Sequence, residues 1–254
     1  MRIVCTSDTH SLLDQLHANS PIPDGDILVH AGDFTKTGDR NEVGVAVIAF
    51  NAFLGRLPHR YKVVIAGNHD TTFDREFYPQ HWRRFRHSQQ YDPDEVRGLL
   101  TNALYLEDQA VTIEGVKFYG SPWQPAFSTW GFNLPRGEEL LKKWQLIPSD
   151  TDVLITHGPP FGILDEVDHR GSQGCEELAR EVVERVKPQV HVFGHIHEGY
   201  GTIFNGMTLF INASSCTVDY EPINPALAFD LRPSKPHIQD GKALEYDTMY
   251  AHQL

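Results

Sequence analysis

The stretch VHVFGHIHEGYG, residues 190–201, sets His195 and His197 two positions apart just past an apolar run, with Gly194 before them and Glu198 after. One histidine at such a place is ordinarily a hydrogen-bonded structural residue. Two on one side of a strand end suggest a metal. The same arrangement recurs along the chain. Asp8 and His10 follow the apolar run 2–7, and Gly32-Asp33 follows 26–31. Gly67-Asn68-His69-Asp70 ends the run that starts at 61, and His157-Gly158 follows 152–156. Each motif alone is ordinary, because D-x-H arises by chance and G-D or G-N-H-D can simply make a turn. Their succession, each at a strand end, is the signal.

Oxygen and imidazole donors without thiolate suit Mn, Fe, Zn, Ni or Mg rather than a structural thiolate-zinc site. Asp8, His10, Asp33, Asn68, His157, His195 and His197 are too many for one ion with open positions. They suit two divalent ions sharing a carboxylate, a pair about 3.5–4 Å apart that clamps the attacking and leaving oxygens of an in-line displacement at phosphorus. If Asp8 and Asp33 are the anionic ligands, two divalent ions leave a residual charge of about +2, to be met by a bridging hydroxide and a phosphate.

The elements that must position these residues are legible as short apolar runs alternating with helical segments. Residues 2–7, 26–32 and 61–67 read as strands buried on both faces, because they are continuously apolar. The segment 41–57 has helical spacing. Short strands come next within 103–121, with a hairpin at Glu114-Gly115. Helices are expected at 136–147 and at 175–187, the latter stopped by Pro188, and strands at 152–158 and 190–195. A hairpin turning at Asn205-Gly206 and a strand at 226–231 close the set, and the tail from 232 reads as peripheral. The alternation predicts an α/β fold with mixed strands, on one domain over 1–254.

The formal net charge is −12, which speaks against a long nucleic acid partner; the basic cluster HWRRFRH at 81–87 reads as a solvated helix face. No apolar run is long enough for a membrane span. The chain opens directly on RIVCTS with no leader pattern, and Cys5, Cys175 and Cys216 form no C-x-x-C pair. Both point to reduced thiols and a cytoplasmic setting.

D-x-H, G-D, G-N-H-D, a later H-G and G-H-x-H, in that order, resemble the signature of calcineurin-like metallophosphoesterases over Asp8–His197. VHVFGHIHEGYG, INASSC and GDFTKTGD resemble the metallophosphoesterase-domain-containing branch. The resemblance implies a four-layer α/β/β/α sandwich of two mixed sheets, two divalent ions (manganese first) and hydrolysis of a small phosphodiester or phosphomonoester, a cyclic or linear nucleotide included. It implies that Asp8, His10, Asp33 and His197 hold one ion, that Asp33 bridges, and that Asn68, His157 and His195 complete the other. His69 would bind substrate and protonate the leaving group. Some relatives in that branch carry glycine where His195 stands, which blunts activity; the complete motif here implies a competent enzyme.

The aromatic stretch 119–132 offers Trp123 or Phe127 as a surface for a nucleobase, or as packing of the loop onto the sheet. Glu198 reads either as support for a ligand histidine or as a solvated charge. Asp70 either orients Asn68 and His69 or caps the segment after it. The competing function is a nucleotide-binding or scaffolding protein on the same fold with incidental hydrolysis; a complete ligand set favours the enzyme.

Overall fold

The computed structural model describes residues 1–38 and 46–231. The start of the helix expected over 41–57 and the tail from 232 lie outside the described residues. In chain order the strands begin with β1 (Arg2–Thr6), β2 (Ile27–Ala31), β3 (Tyr61–Ile65), β4 (Leu104–Tyr105), β5 (Gln109–Ile113) and β6 (Val116–Ser121). The short β7 (Gln124–Pro125) and β8 (Asn133–Leu134) precede β9 (Val153–Thr156), and β10 (Glu166–Val167) and β11 (Gly171–Ser172) come after it. Last are β12 (Val190–Phe193), β13 (Gly201–Phe204), β14 (Leu209–Asn212) and β15 (Leu227–Asp230). The helices are α1 (Leu13–Asn19), α2 (Ala46–Arg56), α3 (Tyr78–His81), α4 (Pro93–Arg97), α5 (Glu138–Trp144) and α6 (Glu176–Arg180). A π-helical turn over Glu181–Val186 extends α6.

Two main sheets form. The first runs β15-β1-β2-β3-β4, parallel except for β15. The second runs β13-β14-β12-β9-β6-β5, with four parallel central strands and an antiparallel strand at each edge. The apolar runs are continuous because both faces of these strands are covered. Ile3, Cys5, Val29, Val63 and Ile65 meet Phe118, Val153, Ile155, Val192 and Ile211 between the sheets. The intervening Val4, Leu28 and Val64 pack outward against α1, α2 and the 71–100 segment, while Leu154, Phe193 and Phe210 pack against α5 and α6. The result is the expected α/β/β/α sandwich.

Two local expectations shift. The Glu114-Gly115 turn is present, with both residues left-handed (φ 49° and 84°) between paired Ile113 and Val116. The second hairpin is longer than an Asn-Gly turn. Phe204 pairs with Leu209, and the Asn205 Oδ1 caps the loop by accepting from Met207 N and Thr208 N at 3.0 and 2.8 Å. The basic cluster at 81–87 carries a 3₁₀ turn over Trp82–Phe85, with Arg83 and Arg84 exposed and Phe85 buried. Helices α1 and α4 have no strong periodicity, since each presents only one or two buried side chains.

Parallel strands point the same way, so Asp8, Asp33, Asn68, His157 and His195 leave their strands at one end of the sandwich. The two sheets touch there through the parallel bridge between Ser7 and Ser214. Phe118 is fully buried between the sheets. Phe118→Ala is expected to cost about 3–5 kcal/mol of unfolding free energy. Phe204→Ala, at a position 58% exposed, should cost well under that; denaturant titration of both variants measures the difference.

Candidate metal centre

The ligand-type side chains are held by five loops, one past each of five strands, with Asp8 and His10 sharing one and His195 and His197 another. Asp8, His10, Asp33 and His195 all have positive φ (51°, 41°, 56° and 68°), so the backbone turns sharply as each strand ends. The turns are pinned by Asp8 N donating to Gly32 O at 2.9 Å and His10 N to Asp33 O at 3.0 Å. Close approach then demands glycine. A Cβ on Gly194 would lie 2.0 Å from Asp8 Oδ2, and one on Gly67 would lie 2.3 Å from Asp33 Oδ1.

At the centre the donor atoms converge. His197 Nδ1 donates to Thr217 O (2.9 Å), which leaves the Nε2 of the neutral ring a lone pair. That Nε2 lies 3.4 Å from His10 Nε2 and 3.4 Å from Asp8 Oδ1. His157 Nδ1 donates to Ala31 O (2.9 Å), and its Nε2 faces Asn68 Oδ1 at 3.0 Å and Asp33 Oδ2 at 3.4 Å. Asp33 Oδ2 is 3.9 Å from His10 Nε2, which places it between the two halves. Three overlapping groups emerge: Asp8, His10 and His197; His10, Asp33 and His69; Asp8, Asp33 and His157. With the Nε2 atoms of His157 and His197 deprotonated, the inward-facing ring nitrogens and carboxylate oxygens are all acceptors, a set that fits cations.

The electrostatics agree. Burial alone would raise the Asp8 carboxyl, yet the His197 hydrogen bond and the His197, His157 and His10 charges hold it well below the usual range. Asp33 is likewise held low against burial by His157 and His69. Burial works against His157 and His197, but Asp33 and Asp8 raise them both to about 9. In the ion-free chain, protons on these two rings offset the buried carboxylates, so metal uptake displaces protons. Burial pushes His10 down to about 4 and His195 to about 3.

Asp70 accepts from Gly67 N, Asp33 N, Thr35 N and the Thr35 hydroxyl at 2.7–2.9 Å. It therefore ties the Asp33 loop to the Asn68 loop rather than touching either Asn68 or His69. Burial and the Asp33 charge raise it to about 7, while its four donors favour the carboxylate. Glu198 is exposed, and Thr217, not Glu198, supports His197.

His195 donates its backbone N–H to Asp8 (3.0 and 3.1 Å), and its ring stands edge-on to His157 with centroids 5.1 Å apart. The three tight groups do not include it; it stands beside them at the edge of the cleft. His69 Nδ1 pairs with Lys36 O at 2.7 Å, and its ring stacks on Trp130 at 4.0 Å and 23°. Trp123 is not among the residues that line the cleft. Its Nε1 donates to Asp108 (2.9 Å), Lys143 Nζ sits 4.1 Å over its ring, and it packs on Phe132 away from the cleft. Phe127 does reach the cleft, which is ≈ 180 Å³ and also lined by Val218 and Tyr220. Trp130 and Tyr220 are the residues sequence reasoning missed. Tyr220 lies edge-on to His10 at 4.8 Å. Nothing in the spacing of 119–132 separates Trp130 from Trp123, and the aromatic neighbourhood of Tyr220 exists only after folding.

With this geometry in view, comparisons place the chain. A family model described as calcineurin-like phosphoesterase matches residues 1–199, and the chain belongs to that family. It is 52% identical over 238 residues to Metallophosphoesterase domain-containing protein 1 of Homo sapiens, covering 91% of this chain and 71% of that protein. It is 43% identical over 250 residues to UPF0046 protein T07D4.2 of Caenorhabditis elegans, covering 93% of this chain and 61% of the other. These relatives place it in the metallophosphoesterase-domain-containing branch. A solved structure titled phosphopantetheinyl hydrolase from Mycobacterium tuberculosis superposes with TM-score 0.53 at 14% identity, over 84% of this chain and 88% of that one, a likeness of fold alone. Family and His/Asp cluster together support a phosphoesterase with a divalent metal centre.

Gly194→Ala tests the packing of the centre. Its Cβ must displace the Asp8 carboxylate. Metal affinity, read by titration calorimetry with Mn²⁺, is expected to fall about 10–100-fold, with the circular dichroism spectrum retained.

Proposed function

We propose that the chain is a dinuclear-metal hydrolase of small organic phosphates, nucleotides and cyclic nucleotides among them, with manganese as the first candidate metal. The observation that supports it is the convergence of His10, His157 and His197 Nε2 atoms on Asp8 and Asp33 with each His157 and His197 Nδ1 already committed to a carbonyl. In this reading Asp8, His10, Asp33 and His197 hold one ion, and Asp33, Asn68, His157 and His195 the other. Two divalent ions at such a site supply Lewis acidity toward phosphoryl oxygens and acidify water.

The chain's own residues do the rest. His69 Nδ1 is committed to the Lys36 carbonyl, so Nε2 is the nitrogen offered to the substrate. From there it binds a phosphoryl oxygen and gives a proton to the leaving oxygen as the ester bond breaks. Trp130 backs the ring and limits its rotation. Phe127, Val218 and Tyr220, all about half exposed at the rim, meet the organic part of the ester. Cytoplasmic residence fits three buried cysteines held as free thiols, and among the described residues no helix is long and apolar enough to cross a membrane.

Two measurements check this. Protein loaded with Mn²⁺ should carry close to two ions per chain by elemental analysis and lose turnover to a chelator; full turnover by metal-free protein would refute the reading. His69→Ala should slow hydrolysis of an alkyl phosphodiester by about 10²–10⁴-fold and a 4-nitrophenyl ester far less, because nitrophenolate needs little protonation. Metal content should stay unchanged; a lost ion would make His69 a ligand, in line with its place beside His10 and Asp33.

A further inference from the structure

Two depressions meet beside the metal centre. The cleft over the metal centre shares His195, Phe127 and Glu198 with a second groove of ≈ 240 Å³. That groove runs from the β7 strand to the 158–174 segment, away from the convergence of ligands. One wall is apolar, with Pro125, Phe127, Pro159 and Ile196. Its charged lining is Arg136, Arg170 and Glu198. Glu198 stands where the two depressions join, whereas the arginines line the groove alone.

Both arginines are unusually placed for a chain of net charge −12. Arg136 is clamped by two backbone carbonyls, donating to Gly174 O at 2.6 Å and Gln173 O at 2.7 Å. These bonds fix the guanidinium plane at the groove, with the Glu177 carboxylate within its electrostatic reach. Arg170 is exposed in the β10–β11 turn, and among the described residues its guanidinium makes no ion pair or hydrogen bond. Two guanidiniums lining a groove that opens onto a phosphate-hydrolysing centre match the planar, multi-donor recognition of phosphate or carboxylate.

We infer that this groove is a second, anion-reading subsite, and that the preferred substrates are organic phosphates bearing another phosphate or carboxylate remote from the scissile ester. This rests on the hydrolase reading above. The remote group lies along the groove against Arg136 and Arg170, the connecting carbons lie on the Phe127–Ile196 wall, and the scissile phosphorus sits over Asp8 and Asp33. Glu198 at the junction disfavours a second charge placed too close to the first, so the subsite selects for separation as well as for charge.

The test uses Mn²⁺-loaded protein and three 4-nitrophenyl phosphodiesters whose second alcohol is propyl, 3-carboxypropyl or 3-phosphooxypropyl. The two esters that carry a second anionic group are expected to show kcat/KM about tenfold above the propyl ester, chiefly through KM; the stronger of the two arms names the remote group. In Arg170→Ala that advantage should shrink by about the same factor, with Arg170→Lys recovering part of it. Arg136 is left intact, because its removal would free the 173–174 carbonyls and move the loop. Equal kcat/KM on all three esters would overturn the subsite and leave the hydrolase standing. If no ester turned over and 4-nitrophenyl phosphate were inert as well, the hydrolase reading would be what failed. The subsite is then decided by calorimetric binding of propyl phosphate against 1,3-propanediol bisphosphate, where equal affinities would overturn it.

Discussion

Two carboxylates, Asp8 and Asp33, are buried within reach of the same histidines. Two like charges in a low-dielectric pocket are tolerated only with cations beside them. Much of the surrounding structure answers that demand. Ser214 Oγ and the His195 N–H donate to Asp8, and the His69 N–H donates to Asp33. The Thr217 and Ala31 carbonyls turn His197 and His157 so that their Nε2 atoms face inward. Asp70 accepts three backbone N–H groups and the Thr35 hydroxyl from the two loops that carry Asp33 and Asn68, which sets their spacing.

The sandwich makes this possible by bringing the C-terminal ends of two parallel sheets together. One sheet supplies Asp8, His10, Asp33 and Asn68, the other His157, His195 and His197. A single sheet could not surround the site, since its strand ends lie along one line. Behind the ligands the support is buried and uncharged. His30 pairs with Thr9 Oγ1 at 2.9 Å and His191 with Thr156 Oγ1 at 2.8 Å, and burial pushes both imidazoles down to about 3. Neutral rings add no positive charge to compete with metal, and each buttresses the residue next to a ligand.

The organic side of the site is built differently. Phe127, Trp130, Val218 and Tyr220 come from loops rather than strand ends, and several of them stand exposed at the rim. Loops of this kind vary without disturbing the sheets, which is how one scaffold accepts different esters. In the proposed reading the strand-end residues would grip phosphorus and these loop residues would meet the rest of the ester.

The reach of the sequence depends on where each interaction is encoded. The strands were legible because two-sided burial requires continuous apolar runs, and the donor residues because they cluster just past such runs, with Asp33, Asn68 and His195 each beside a glycine that close approach demands. The Asp8, His10, Asp33, Asn68, His157 and His197 gathering was thus foreseeable residue by residue. Tertiary structure alone decided which aromatic residue meets His69, since Trp123 and Trp130 lie in one turn-rich stretch and only the β7–β8 pairing and the Asp108 acceptor turn Trp123 away. It also decided that Asp70 ties loops and that Tyr220 sits against His10. The groove with Arg136 and Arg170 arises in the same way. These depend on contacts between segments distant in sequence, for which no local pattern of residue types exists.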